Sequence, residues 1–300
     1  VRSPGQGLSP QHLPELIGKT IGRNMDAEDF FFPSDLSASI NSFGKYEFQR
    51  KWGVPVRHHD FENFKKLLTP DIWEFHLSYS DMELPVDEYI PSVQENGFVV
   101  HAPELFEKSH LLDLTSADEN YRSNSIKEMQ RVINLTRNLK HMFPLEKRPM
   151  IVTNIGGFSM DAPIDDASKT LRYETFLRSL NELDTDGVEI IPQTMAPFPW
   201  HFGGQRYQNL FLQVEETADF CERQSIRLCF DVSHTFLTCN EFGLDFYKAS
   251  EILGPYTAHL HIGDAIGTNG EGLQIGHGEI DFARLANILD DKCPDASFIP

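Results

Sequence analysis

From Trp52 onward, short β-branched or aromatic runs alternate with longer amphipathic stretches. That rhythm is the signature of βα units around a parallel sheet. The apolar runs predict strands at Gly53–His58, Ile72–Tyr79, Phe98–Pro103, Met150–Ile155, Val188–Thr194, Arg227–Val232, Ala258–Ile262 and Ser297–Pro300. Helices are expected near Phe61–Leu68, Asn120–Met142, Ala167–Asn181, Gln208–Gln224, Leu244–Leu253 and Phe282–Leu289. Within Asn120–Met142, Ile126, Met129, Val132, Ile133 and Leu139 recur near helical spacing. Eight strands over about 250 residues match an α/β (β/α)8 barrel, a TIM barrel, in count and size. A doubly wound open sheet is the alternative, weakened because no glycine-rich phosphate loop follows a strand.

The first residues have another character. Gly5 to Pro10 reads as a turn, Leu13 to Leu16 as a short helical piece, and a compact stretch ends at Phe31-Phe32-Pro33-Ser34-Asp35-Leu36. This segment, 1–38, is too short to bury a core alone. Residues 39–51 read as a linker, and 52–300 as the barrel. The chain starts without Met, and its last apolar run, Ala296 to Pro300, stops without a cap or turn. It therefore reads as a piece of a longer protein, cut inside the eighth strand.

Charge narrows the partners. Forty-five Asp and Glu outnumber 26 Lys and Arg, for a net charge of −19. Nucleic-acid binders draw affinity from a basic stripe, so DNA or RNA is disfavoured. No apolar run approaches the roughly 20 residues of a membrane helix, which disfavours a membrane protein. The four cysteines (Cys221, Cys229, Cys239, Cys293) lack CxxC spacing. Buried free thiols in a reducing compartment follow, and with them the cytoplasm.

In a closed barrel alternate strand residues point inward, and the site lies at the carboxyl ends. On the second strand Trp73, Phe75, Leu77 and Tyr79 would face the helices, leaving Glu74, His76 and Ser78 inside. Later strands end with His101, Asn154, Gln193, Asp231 with His234, and His259 with His261. Burying so many polar groups is costly unless they pair with one another, a metal or a ligand. Nitrogen and oxygen donors gathered from separate strands are suited to a divalent metal.

Each residue also has a plainer reading. His101 alone is more often a hydrogen-bonded core histidine, and Asp231 with His234 could merely cap a turn. One of His259 and His261 could support the other rather than bind anything itself. His58 and His59 read as structural, and His110, His141 and His201 as surface residues.

Taken together, the barrel resembles the xylose isomerase-like superfamily: sugar isomerases and epimerases, with the apurinic endonucleases that share the fold. Val100-His101-Ala102-Pro103, Asn154-Ile155-Gly156-Gly157, Gln193-Thr194, Asp231-Val232-Ser233-His234, His259-Leu260-His261 and Gly276-His277-Gly278-Glu279-Ile280-Asp281-Phe282 carry the likeness. It implies a divalent metal (Zn, Mn, Mg or Co) on His101, Asp231, His234 and His261. It also implies a small sugar substrate met by His76, Asn154, Trp200, His259 and His277. The departures are Gln193, where the family carries a carboxylate ligand, Asn154, where a His is common, and a strand-eight Glu that would lie beyond Pro300. Gln193 cannot take a proton, so the base would be the strand-eight Glu, His261 or Glu74.

Residues 1–38 resemble the tail of a sialic acid synthase, its antifreeze-like (SAF) module, through Arg2 to Pro10, Leu16-Ile17-Gly18-Lys19 and Ser34-Asp35-Leu36. The parent would be an N-acetylneuraminate synthase-like protein fused to a sugar isomerase-like barrel, the synthase domain lying upstream. Three readings stay open: a metal-dependent isomerase or epimerase in nonulosonic acid or surface-carbohydrate biosynthesis, a non-catalytic sugar-binding or assembly domain with a decayed metal site, and, weakest, a nuclease. The loop from Ala196 to Gly204, with Trp200, could stack on a sugar or pack the rim. The oligomeric state is open, a homo-oligomer included.

Overall fold

The structure, a computed structural model, describes residues 8, 10–21, 25, 29–32, 49–201 and 204–300. The chain divides into two compact units, Val1–Phe48 and Gln49–Pro300. In the first, a 3-10 turn at Pro10–His12 runs into a helix at Leu13–Leu16, where His12 pairs with Glu15 at 2.8 Å. Most of the expected turn before Pro10, the Ser34-Asp35-Leu36 stretch and most of the expected linker lie outside the described residues.

The second unit is built from eight parallel strands. In chain order they are β1 (Gly53–Val56), β2 (Ile72–His76), β3 (Gly97–His101), β4 (Met150–Thr153), β5 (Glu189–Pro192), β6 (Leu228–Asp231), β7 (Thr257–His261) and β8 (Ser297–Ile299). Strands β1 to β5 pair in sequence, as do β6 to β8. Parallel bridges Gln193↔Cys229 and Trp52↔Phe298 join the two sets, and Phe298 N donates to Lys51 O at 3.0 Å. The cylinder closes. All eight expected strands are present.

Besides a single turn at Val86–Tyr89, the helices of this unit are α1 (Phe61–Leu67), α2 (Glu119–Met142), α3 (Asp166–Glu182), α4 (Val214–Gln224), α5 (Val232–Phe242), α6 (Phe246–Leu253) and α7 (Phe282–Lys292). Several are started by carboxylates that accept backbone N–H groups left free at a helix start. Asp118 caps α2, Asp165 caps α3, Asp245 caps α6 and Asp281 caps α7. None of the described helices is long and apolar enough to cross a membrane.

Helix α5 differs from the sequence reading, which ran from the sixth strand straight to Leu244. Its turns are buried nearly all round, at Val232, Ser233, Thr235, Phe236, Leu237, Thr238 and Cys239. A helix buried on every side shows no amphipathic stripe.

The strand alternation sorts the core into two parts. Trp73, Phe75 and Phe98 point outward and pack with Phe61 and Phe143 beneath the helices. Ile72, Val99, Val152, Ile191, Cys229 and Ala258 form a separate apolar cluster. One residue from each of six strands, all buried, thus fills the cylinder at its amino end. Above that plug the inward positions turn polar.

Candidate functional site at the carboxyl ends of the strands

Glu74 is wholly buried on β2, two residues beyond Ile72 of the plug and paired across the sheet with Val99. Three imidazoles converge on its carboxylate. His259 Nε2 lies 2.5 Å from Oε2, His261 Nε2 3.0 Å from Oε1, and His76 Nε2 2.5 Å from Oε1. His76, His101 and His261 also face one another as rings, with centroids 4.8 to 5.9 Å apart. Burial alone would raise the Glu74 carboxyl, but His261 and His259 hold it well below the usual carboxylate range.

The protons follow from these contacts. Burial keeps His259 below the usual histidine range, so it is neutral with one N–H. That proton serves Glu74 from Nε2, and Nδ1 accepts from the Ser297 hydroxyl at 2.7 Å. His261 is the opposite case. Burial disfavours its charge, yet Cys229, Glu74 and Asp231 outweigh burial and hold it well above the usual range.

The second half of the site forms around Gln193, just past β5. Its amide nitrogen donates to Asp231 Oδ2 at 2.9 Å and lies 3.3 Å from His261 Nδ1, while its oxygen lies 3.1 Å from His101 Nε2. Asp231 ends β6 and starts α5. Its Oδ1 accepts from His234 N and the Ser233 hydroxyl, each at 2.9 Å. Its Oδ2 lies 3.5 Å from both His234 Nδ1 and His261 Nδ1. Asp231 is therefore a helix cap and a site residue at once. Burial would raise its carboxyl, and His234 and His261 hold it below the usual range.

His234 and His101 respond oppositely to burial. His234 is raised to about 9, because Asp231 and Glu271 outweigh burial. His101 is lowered to about 3 by burial and by the neighbouring His76 and His261. His101 is neutral and His234 charged at neutral pH.

The structure thus brings Glu74, His76, His101, Gln193, Asp231, His234, His259 and His261 to one rim. Asn154, just past β4, is buried, and its Oδ1 accepts from Gly156 N at 3.0 Å. His277 is exposed in the turn whose N–H bonds Gln274 O. The backbone of Trp200 pairs with Gln205 in a two-stranded piece. Glu189 pairs with Arg227 at 2.7 and 2.8 Å, at the amino end of β5 and away from the rim.

Sequence reading missed Glu271. It stands on a hairpin, Asp264–Ile266 with Gly270–Leu273, and reaches within 3.5 Å of His234 Nε2. No periodicity marks it. The hairpin is fixed by Asp264, whose buried carboxylate accepts N–H groups from Ala265, Gly276, Gly278 and Ile280.

A divalent ion fits this chemistry. Donor atoms of Glu74, His259 and His261 all lie within 4.8 Å of one another. His76 Nε2 is buried and makes no hydrogen bond, although it faces the same carboxylate. A carboxylate with several imidazoles suits zinc, manganese or cobalt, and an orphaned buried nitrogen is what an ion would satisfy.

Fold and rim together define an α/β barrel with an imidazole- and carboxylate-lined mouth. The family described as xylose isomerase-like TIM barrel matches residues 63–296, and the chain belongs to that family. Among solved structures, a D-tagatose 3-epimerase-like protein is similar at 18% identity and a TM-score of 0.59, over 83% of this chain and 89% of that one. An E. coli 3-keto-D-glucoside 4-epimerase is similar at 15% identity and 0.56, over 84% and 91%. An L-ribulose 3-epimerase follows at 15% and 0.55, over 83% and 80%. These likenesses show the fold. No curated protein matches the sequence.

Proposed function

We propose that this barrel is a metal-dependent sugar isomerase or epimerase that binds a hydroxy-carbonyl sugar at the rim. The observation that carries the reading is the convergence of His76, His259 and His261 on the buried Glu74 carboxylate, beside the Gln193–Asp231–His234 group. The epimerase neighbours support it. Glu74, His259 and His261, with His76, would hold the ion. When bound, it would supply Lewis-acid polarisation of a sugar oxygen.

The side chains divide the remaining work. His261, held between Glu74 and Asp231, would shed its Nε2 proton to ligate the ion, because a ligating imidazole is neutral. Asp231 stays ionised and accepts sugar hydroxyls. Glu74 is fully buried among the imidazoles, so its work is to hold the ion and orient them rather than to exchange a sugar proton. Glu271 is the half-exposed carboxylate at the mouth, and it would exchange the proton next to the carbonyl.

The test incubates the protein, loaded with Mn²⁺, Co²⁺ or Zn²⁺, with a panel of ketoses and 2-acetamido sugars in D₂O. Deuterium appearing at the carbon next to the carbonyl supports the proposal, provided Glu271→Gln slows it. No wash-in with any sugar or ion, despite saturable sugar binding, would leave the second reading.

That second reading is a non-catalytic sugar-binding or assembly domain, and Gln193 favours it. An amide occupies the centre of the rim and is engaged by three site side chains. The likeness of residues 1–38 to a sialic acid synthase tail supports nonulosonic acid biosynthesis as the setting for either reading, with a fused synthase as partner.

A further inference from the structure

A cavity of about 370 Å³ lies beside the Gly156–Gly157 turn, walled in part by Ser109, Ser116, Phe158, Arg172 and Arg206. It is separate from the imidazole cluster, and none of the residues assigned above lines it. From these walls we infer a binding site for a small oxyanion, the phosphate or carboxylate group of a metabolite.

The two guanidiniums carry the inference. Arg206 makes no ion pair among the described residues, in a chain where acidic groups outnumber basic ones 45 to 26. Its group lies 5.1 Å over the Phe158 ring and touches Met160 Sδ through Nη1. An aromatic face and a thioether fix the plane of a guanidinium without neutralising it. Its Nε is buried with no hydrogen-bond partner. A buried donor without an acceptor is costly, and an oxyanion would supply one.

Arg172 is engaged on one side only. Its Nη1 reaches Asp113 Oδ2 at 3.3 Å and Thr115 O at 3.2 Å. Two carboxylates, Asp113 and Asp118, also line the cavity, and both are already committed. Asp113 Oδ1 accepts from Thr115 N, the Thr115 hydroxyl and Gly157 N, and burial raises its carboxyl above the usual range. Asp118 is spent on the start of α2.

Two serine hydroxyls also line the cavity, beside Leu111 and a Tyr121 whose hydroxyl donates to Leu111 O. Ser116 Oγ accepts from Asp118 N, which leaves its proton to donate. Ser109 sits at φ 59 directly after Lys108 at φ 59. Two successive side-chain-bearing residues in the left-handed region cost energy, and such strain is concentrated where ligands bind.

The pocket is small and its donors are planar or hydroxylic. Guanidiniums grip phosphate and carboxylate alike through paired N–H groups.

The experiment titrates the protein with methyl phosphate, inorganic phosphate and acetate at constant ionic strength, following heat by calorimetry and melting temperature. Saturable binding of at least one probe is expected. Arg206→Gln should weaken it about tenfold or more, the loss expected for a charged hydrogen-bond partner, with the melting temperature in probe-free buffer unchanged. Preference for phosphate over acetate would assign a phosphorylated ligand, and the reverse a carboxylate one. No saturable binding, or equal binding by Arg206→Gln, would overturn the site. Glu74→Gln leaves this binding intact, so failure here is distinguishable from failure of the sugar chemistry at the rim.

Discussion

The Gln193 amide nitrogen lies 2.9 Å from Asp231 Oδ2 and donates to it. This contact places a neutral amide against the Asp231 carboxylate, at the position where the resemblance implies a second carboxylate. Gln193→Glu would bring two carboxylates to hydrogen-bond distance, where like charges repel. Without metal the variant should be less stable by roughly 1–3 kcal/mol. Millimolar Mn²⁺ or Co²⁺ should restore the loss. Urea unfolding with chelator and with metal checks both, and equal stability of variant and wild type in chelator would contradict the arrangement.

Glu74→Gln removes the charge on which three imidazoles converge. Divalent-ion binding should fall at least tenfold, and stability by about 2–4 kcal/mol, because His261 keeps a buried charge without its partner. Equilibrium dialysis and chemical denaturation measure the two separately. Asp231→Asn should weaken sugar binding more than ion binding.

His58 supplies a pH dependence independent of the rim. It is 1% exposed, stacks on Tyr89 with centroids 6.2 Å apart, and neither ring nitrogen has a hydrogen-bond partner. Burial lowers its pKa, so the folded protein binds this proton less readily than the unfolded chain. The stability it leaves intact above about pH 6.5 is lost as pH falls through that range toward the folded pKa. His58→Leu should flatten this part of the stability–pH curve and gain about 1 kcal/mol near pH 6. Unfolding free energies from pH 5 to 8 decide it.

Asp264→Asn should loosen the hairpin that delivers Glu271. The carboxylate accepts four backbone N–H groups, and backbone hydrogen bonds hold its pKa below the ordinary value against burial. The variant should lose about 2 kcal/mol. Amide exchange at residues 264–280 should speed up while exchange in α2 stays slow. Uniform acceleration across the barrel would show that the loop is not a separate unit.

The strands and the inward face of β2 were legible because period-two alternation survives in short apolar runs. Glu74, His76, Asp231 and His261 stood out as polar residues at positions that had to be inside. Their partnerships were not legible. Two strands, β8 and β1, separate β2 from β7 around the ring, so the Glu74–His259 contact depends on closure and stagger. Helix α5 escaped because burial on all sides erases its periodicity. Glu271 escaped because a hairpin rather than the barrel positions it.

The apolar layer from Ile72 to Ala258 has one more consequence. It fills the amino half of the cylinder with side chains, so no pore runs through it to the polar rim. Whatever enters must turn around to leave, so arrival and departure share one doorway. A group bound across that opening governs traffic in both directions.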